Sequence, residues 1–121
     1  MQIEVSNGEI VDKYTILQIK ADKIKDVDKL FNIKNEIEYF IEPMFNMNID
    51  RIDVLDLKDV NLFLWEVEEQ LRICEEKQRF DDYFILLARQ VYKLNDQRSA
   101  IKKKINLYTN SSLIEEKSYN Q

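Results

Sequence analysis

The strongest constraint on this chain is the apolar rhythm between Phe80 and Tyr108. Apolar side chains fall at Phe84, Leu87, Val91, Leu94, Ile101, Ile105 and Tyr108, in steps of 3-4-3-7-4-3. Steps of three and four keep side chains on one face of an α-helix, whereas a strand would need steps of two. The segment predicts one heptad-patterned helix, coiled-coil-like, about 43 Å long at 1.5 Å per residue. The missing step in the seam is Arg98, with Asn95 one turn before it. A guanidinium facing a helix seam costs several kcal/mol unless it is paired and hydrogen-bonded.

The remaining chain supplies partners for that helix. Its 121 residues are 45% hydrophobic, enough for one core. One Gly and one Pro leave little chemistry for tight hairpins, so no sheet is expected. A capping box, Ser6-x-x-Glu9, opens a first helix, with Val5 and Ile10 placed to staple it. Its seam is Ile10, Tyr14, Leu17, Ala21 and Ile24. Asp26 caps a second helix carrying Leu30, Ile33, Ile37, Phe40 and Ile41, which Pro43 ends or kinks. A third helix, starting near Asp53 or Asp56, has its seam at Leu57, Val60, Leu64, Val67, Leu71 and Cys74. Cys74 there is a packed thiol. Asp81 caps the long helix. Ser112-x-x-Glu115 offers a second capping box, so the tail SLIEEKSY can form a short helix that docks, with Lys117 and Tyr119 folded back over the bundle; a frayed terminus is the alternative. The expected fold is all-α: a single antiparallel helical bundle over 1–121, with helices near 7–25, 27–42, 55–78 and 81–108 and a docked tail at 111–121.

Composition removes several functions. The formal net charge of −5 argues against a nucleic-acid binder, which needs a basic face to displace counterions. Lys102, Lys103 and Lys104 are the one basic run, favourably placed near the negative end of the last helix. The longest apolar run, Phe84 to Ala88, is too short to cross a bilayer, and MQIEVSNGEI lacks the basic and apolar regions of a signal peptide. One cysteine permits no internal disulfide and fits a reducing compartment, so a cytoplasmic protein is expected. With no histidine, Ser-His and Cys-His catalysis and most zinc sites are absent.

The chemistry that remains centres on Arg98. At 100° per residue, Asn95 lies about 60° and Lys102 about 40° from Arg98, while Asp96 lies about 160° away. Asn95, Arg98 and Lys102 therefore share a face. They form a structural polar layer, with Arg98 paired to a carboxylate from the first or third helix, or a pocket for a phosphate or carboxylate, or Arg98 snorkels to water from the edge of the seam. Glu9 and Asp12 are spaced E-x-x-D, and Glu66 and Glu69 E-x-x-E, which is how facing helices of some all-α pyrophosphohydrolases hold Mg²⁺. With 23 acidic residues, about four such pairs arise by chance, and Glu9 already has a role in its capping box. No metal or cofactor is expected. Trp65 is a core flank or interface anchor, with ligand stacking as the alternative.

Three stretches, GEIVDKYTILQIK (8–20), LARQVYKLNDQRSAIKKKIN (87–106) and SLIEEKSY (112–119), occur in the order and spacing of one family. Together they resemble the DUF6165-like family of small bacterial and phage proteins of unknown function. The likeness covers most of the chain and is faintest over 40–56. It places the family's motif at Gly8, Glu9, Asp12, Lys13, Trp65, Asn95, Asp96, Arg98, Glu115, Glu116, Lys117 and Tyr119. No activity comes with it. The resulting expectation is a helical interaction module, with Asn95, Arg98, Lys102, Asp12, Lys13, Trp65 and Tyr119 as candidate contacts for a protein partner or a small anion. The alternative is a small all-α enzyme acting on a phosphorylated or carboxylated metabolite. A homodimer is expected, because so long a helix outruns the partners this chain can supply.

Overall fold

The computed structural model describes residues 1–117. The all-α expectation holds: four helices, α1 (Asn7–Lys23), α2 (Val27–Asn46), α3 (Arg51–Glu76) and α4 (Asp82–Tyr108), pack as a bundle, with no strand among the described residues. α3 and α4 form the longest pairing, antiparallel, with Asp53 beside Lys104 at one end and Gln70 beside Tyr83 towards the other. α1 touches all three other helices, whereas α2 packs on α1. The seams of α3 and α4 supply much of the core, with Leu57, Val60, Leu64 and Cys74 of α3 and Leu87 and Ile105 of α4 buried, although Tyr108 at the end of the α4 seam is exposed. On α1 the buried apolar residues are Val11, Leu17 and Ile19, of which only Leu17 lies in the expected seam. Val11 of α1 joins Leu57 and Ile105 in a fully buried cluster, flanked by Met44, Met47, Ile49, Val54 and Ile101. The segment around Met44 to Ile49 thus packs on the core through Met44, Met47 and Ile49, while Phe45 faces outward.

Helix ends follow local chemistry, with three departures from expectation. Asp26 and Asp81 cap α2 and α4 as their positions suggest. α2 does not stop at residue 42 but runs through Pro43 to Asn46. Proline forfeits the bond to the carbonyl four residues back, that of Tyr39, and Tyr39 is largely exposed, so water can take the acceptor. The turn beyond closes when the Met47 N–H bonds the Pro43 carbonyl at 3.2 Å. α3 begins at Arg51, capped by Asp50, which accepts from the Ile52 N–H at 2.9 Å, and so includes Asp53 rather than being capped by it. The third departure is the tail, which is not helical over the described residues 111–117.

Both α3 and α4 end with a residue in the left-handed region, Gln78 (φ 53°) and Asn110 (φ 54°). In each case the next residue reaches back over the last turn: Arg79 N–H to Cys74 carbonyl and Ser111 N–H to Asn106 carbonyl, both 2.8 Å. These are Schellman closures made without glycine. The seam assignment has a direct check in stability. Leu64→Ala is expected to cost about 2–5 kcal/mol as a core truncation. Glu66→Ala, two residues on and exposed, should cost under about 0.5 kcal/mol. Equal midpoint shifts in denaturant melts would contradict the packing.

Candidate functional site

The site grows from the start of α1. A helix leaves its first N–H groups without intrahelical partners, and here those of Asn7, Gly8 and Glu9 each find a side-chain acceptor. The Asn7 N–H donates to Ser111 Oγ at 3.0 Å, that of Gly8 to Asn106 Oδ1 at 2.6 Å and that of Glu9 to Ser6 Oγ at 3.1 Å, while that of Ile10 makes the first regular helical bond, to the Ser6 carbonyl at 3.2 Å. Two of the three side-chain acceptors come from the end of α4 and the residues after it, so α1 is docked by its own terminus. The capping box is half formed. Ser6 caps Glu9, but the Glu9 carboxylate turns to Lys102 Nζ at 2.6 Å.

One and two turns further along, Asp12 is almost fully buried and faces Arg98. The pair is bidentate, with Arg98 Nε on Asp12 Oδ1 at 2.8 Å and Nη2 on Oδ2 at 2.5 Å. Asn61 of α3 donates to Asp12 Oδ1 and to Thr15 Oγ1, each at 2.9 Å. The Thr15 hydroxyl donates to the backbone carbonyl of Asp12 at 2.8 Å. Asn95 accepts from Arg98 Nη1 at a longer 3.4 Å. Hydrogen bonding to Asp12 raises the Arg98 pKa further above the usual arginine range, so this guanidinium stays charged. The result is a polar layer joining α1, α3 and α4, with the carboxylate inside and one edge of the arginine outside.

On the outer side of this layer lies a cleft of about 200 Å³, lined by Ile16, Ile19, Leu64 and Trp65 with Asn61, Glu68, Asn95 and Arg98. Trp65, half-buried, donates its indole N–H to Glu69 at 2.5 Å. A second cleft, about 380 Å³, separates α4 from the tail and is lined by residues that include Asp96, Lys103, Glu116 and Lys117. The tail runs back along α4. Glu115 accepts from the Ser6 hydroxyl and lies 3.8 Å from Lys102, Glu116 pairs with Lys103 at 2.9 Å, and Lys117 lies 3.8 Å from Asp96. The three lysines of the basic run fan out in three directions, Lys102 to Glu9 and Glu115, Lys103 to Glu116 and Lys104 to buried Asp53 at 3.1 Å. That contact raises the Lys104 pKa.

Of the residues singled out in the sequence, Asp12, Trp65, Asn95 and Arg98 gather at one place. Lys102 lies one turn along α4 on Glu9 and belongs to the tail clasp. Lys13 is exposed. Tyr119 lies outside the described residues. Glu66 and Glu69 are exposed on α3, while Glu9 and Asp12 are each engaged by a cation. Among the described residues no group of three His, Cys, Asp or Glu side chains is arranged to hold a metal ion. No helix of the described residues is long and apolar enough to cross a membrane. Sequence reasoning missed Asn61, Thr15, Asn106 and Asp53. A polar residue flanking a seam, as Asn61 flanks Val60 and Leu64, is the signal that would have found the first of them.

Searches among curated proteins and among solved structures returned no match. The family profile described as a family of unknown function, DUF6165, matches residues 1–121, which include every residue of the polar layer and of the tail clasp. The chain belongs to that family.

Proposed function

We propose that this chain is a cytoplasmic helical interaction module that receives one side chain of a protein partner in the cleft beside Arg98. The observation that carries the proposal is the size and charge of that cleft. At about 200 Å³ it falls below the roughly 300–1,000 Å³ of small-molecule sites, yet it has the walls of a recognition pocket. Ile16, Ile19, Leu64 and Trp65 suit an apolar stem, and an aromatic anchor beside a small pocket is typical of interface centres.

Charge argues for the kind of side chain. Arg98 is already neutralised by Asp12, so it offers no net positive field to an incoming anion, and Glu68 adds a negative charge at the rim. A methylene-rich side chain with an amide or cationic tip fits better than a phosphate or carboxylate. Free, buried Cys74 is consistent with a reducing compartment.

Trp65 is the only tryptophan, so its fluorescence reports occupancy of the cleft. Peptides selected for binding from a random display library are expected to contain an essential Lys, Arg or Gln and to perturb that emission. Asn95→Ala and Trp65→Ala should weaken their binding by about tenfold or more, as hot-spot losses do. Inorganic phosphate and citrate should leave the melting temperature unchanged. A phosphate-induced thermal shift that disappears in Arg98→Met would replace this proposal with an anion site. Peptides indifferent to both cleft substitutions would also reject it.

A further inference from the structure

α2 carries more apolar surface than the described residues cover. Its inner face, Leu30, Ile33, Ile37, Phe40 and Met44, is buried or half-buried. Along its flank, Val27 (78% exposed), Phe31 (65%), Ile41 (50%) and Phe45 (87%) stand in solvent. With Lys34 and Glu38, both exposed, they form a stripe whose steps are 4-3-4-3-4, a second heptad seam over the full length of the helix. At 100° per residue the six positions fall within about 80° of arc. Among the described residues α2 lies alongside α1, with Met44 near its end also reaching the core cluster, and no helix sits against that flank.

The order of residues in the stripe points to its occupant. Apolar pairs lie at both ends and one residue of each charge lies at the middle, symmetric about the level of Glu36. Laid antiparallel on itself about a twofold axis at that level, the stripe puts Val27 against Phe45 of a second copy, Phe31 against Ile41 and Lys34 against Glu38. Each layer then pairs an a-type with a d-type position, as antiparallel helix pairs require. Isologous twofold interfaces need this kind of self-complementarity. A parallel, in-register pairing would instead set Lys34 against Lys34 and Glu38 against Glu38, and like charges in a seam disfavour that arrangement. A partner of unrelated sequence would have no reason to require the symmetry.

We propose that the protein forms a homodimer through antiparallel pairing of α2 with α2 of a second copy, in the register set by Lys34 and Glu38. The surface is separate from the Arg98 cleft, and the proposal does not depend on the function assigned to that cleft. The two helices run side by side for about 30 Å, the length of α2 at 1.5 Å per residue. The stripe lies on α2, whereas α4, whose length suggested a dimer in the sequence, packs on α3 and α1.

Sedimentation equilibrium on the full chain tests the proposal. The wild type should show twice the chain mass at tens of micromolar. Lys34→Glu alone and Glu38→Lys alone should each weaken association by about tenfold or more, because each turns two attractive contacts of the dimer into repulsive ones. The double variant Lys34→Glu/Glu38→Lys should restore it. All six positions of the stripe are exposed, so the helicity measured by circular dichroism should be the same in every variant. A wild type with the mass of one chain at 100 µM would overturn the proposal. So would a dimer that neither single reversal weakens, or singles that the double reversal fails to rescue.

Discussion

Arg98→Met is expected to destabilise the protein by about 3–5 kcal/mol, the scale for removing one partner of a buried ion pair. The change keeps the volume of the side chain, so the loss falls on Asp12. The Asp12 side chain is 1% exposed, against 29% for Arg98. Without the arginine, that carboxylate keeps one donor, the amide of Asn61. Thr15 cannot help, because its single proton is engaged by the Asp12 backbone carbonyl. The reverse deletion is cheaper: in Asp12→Asn the stranded guanidinium is at the edge of the cleft and can turn to water. That variant should cost about 1–3 kcal/mol, as a lost charged hydrogen bond does. Removing both charges together in Asp12→Leu/Arg98→Met should recover much of the loss, since a buried pair and a packed apolar pair are often close in stability. Urea denaturation of the four proteins reads the order directly. A neutral or stabilising Arg98→Met would mean that the layer does not hold the bundle together.

That layer shows how far the sequence reaches and where it stops. An arginine interrupting a heptad seam marks a place where a charge must be paired, liganded or led out to water. Pairing to an acid of α1 or α3 is the reading that the cost of a lone buried charge favours. Which acid could not be known. Glu9, Asp12 and Glu68 are all candidates until the axial position of α1 on α4 is fixed, and that position is set by tertiary contacts at Gly8 and Asn106. The same limit applies to the caps. Ser6-x-x-Glu9 and Ser112-x-x-Glu115 share one local pattern, but the first opens a helix and the second does not. In the tail, Glu115 and Glu116 turn to Ser6 and to the lysines of α4, and these long-range contacts override the local preference. The Asp50, Asp53, Asp56 series has a cap candidate every three residues, so the start of α3 is degenerate in sequence. The pairing of buried Asp53 with the exposed Lys104, and the cap that Asp50 provides, resolve it.

The basic run is a second instance. Dipole placement alone accounts for lysines late in a helix, and so the sequence gives no reason to look further. Three consecutive residues project about 100° apart, however, and cannot share one partner. In the fold they reach Glu9, Glu116 and Asp53, binding α1, the tail and α3 to the same turn of α4. A run that looks like one patch in sequence is three separate ties in space, which is why it does not form a cationic surface.

Gly8→Ala is expected to destabilise the protein by about 1–3 kcal/mol or more, against the usual trend for a helical glycine. In an open helix the substitution would gain about 1 kcal/mol in helix propensity. Gly8 is not in an open helix. A Cβ at this position would lie 2.5 Å from the Lys102 carbonyl oxygen, 3.1 Å from its carbon and 3.0 Å from Asn106 Oδ1. Two of those atoms are backbone in the middle of α4, which cannot yield without breaking its own hydrogen bonds, so α1 must back away. Doing so stretches the 2.6 Å bond from the Gly8 N–H to Asn106 and the 2.6 Å Glu9–Lys102 contact, and it pulls Asp12 from Arg98 one turn later. The chain's single glycine therefore serves close approach of two helices, while both left-handed helix ends make do with Gln78 and Asn110. Thermal denaturation of Gly8→Ala, with Lys13→Ala on the exposed side of the same helix as the control, should show a clear loss for the first and almost none for the second. An alanine variant as stable as the wild type or more so would place α1 farther from α4 than this contact requires, and would remove the basis for the register of the Asp12–Arg98 layer.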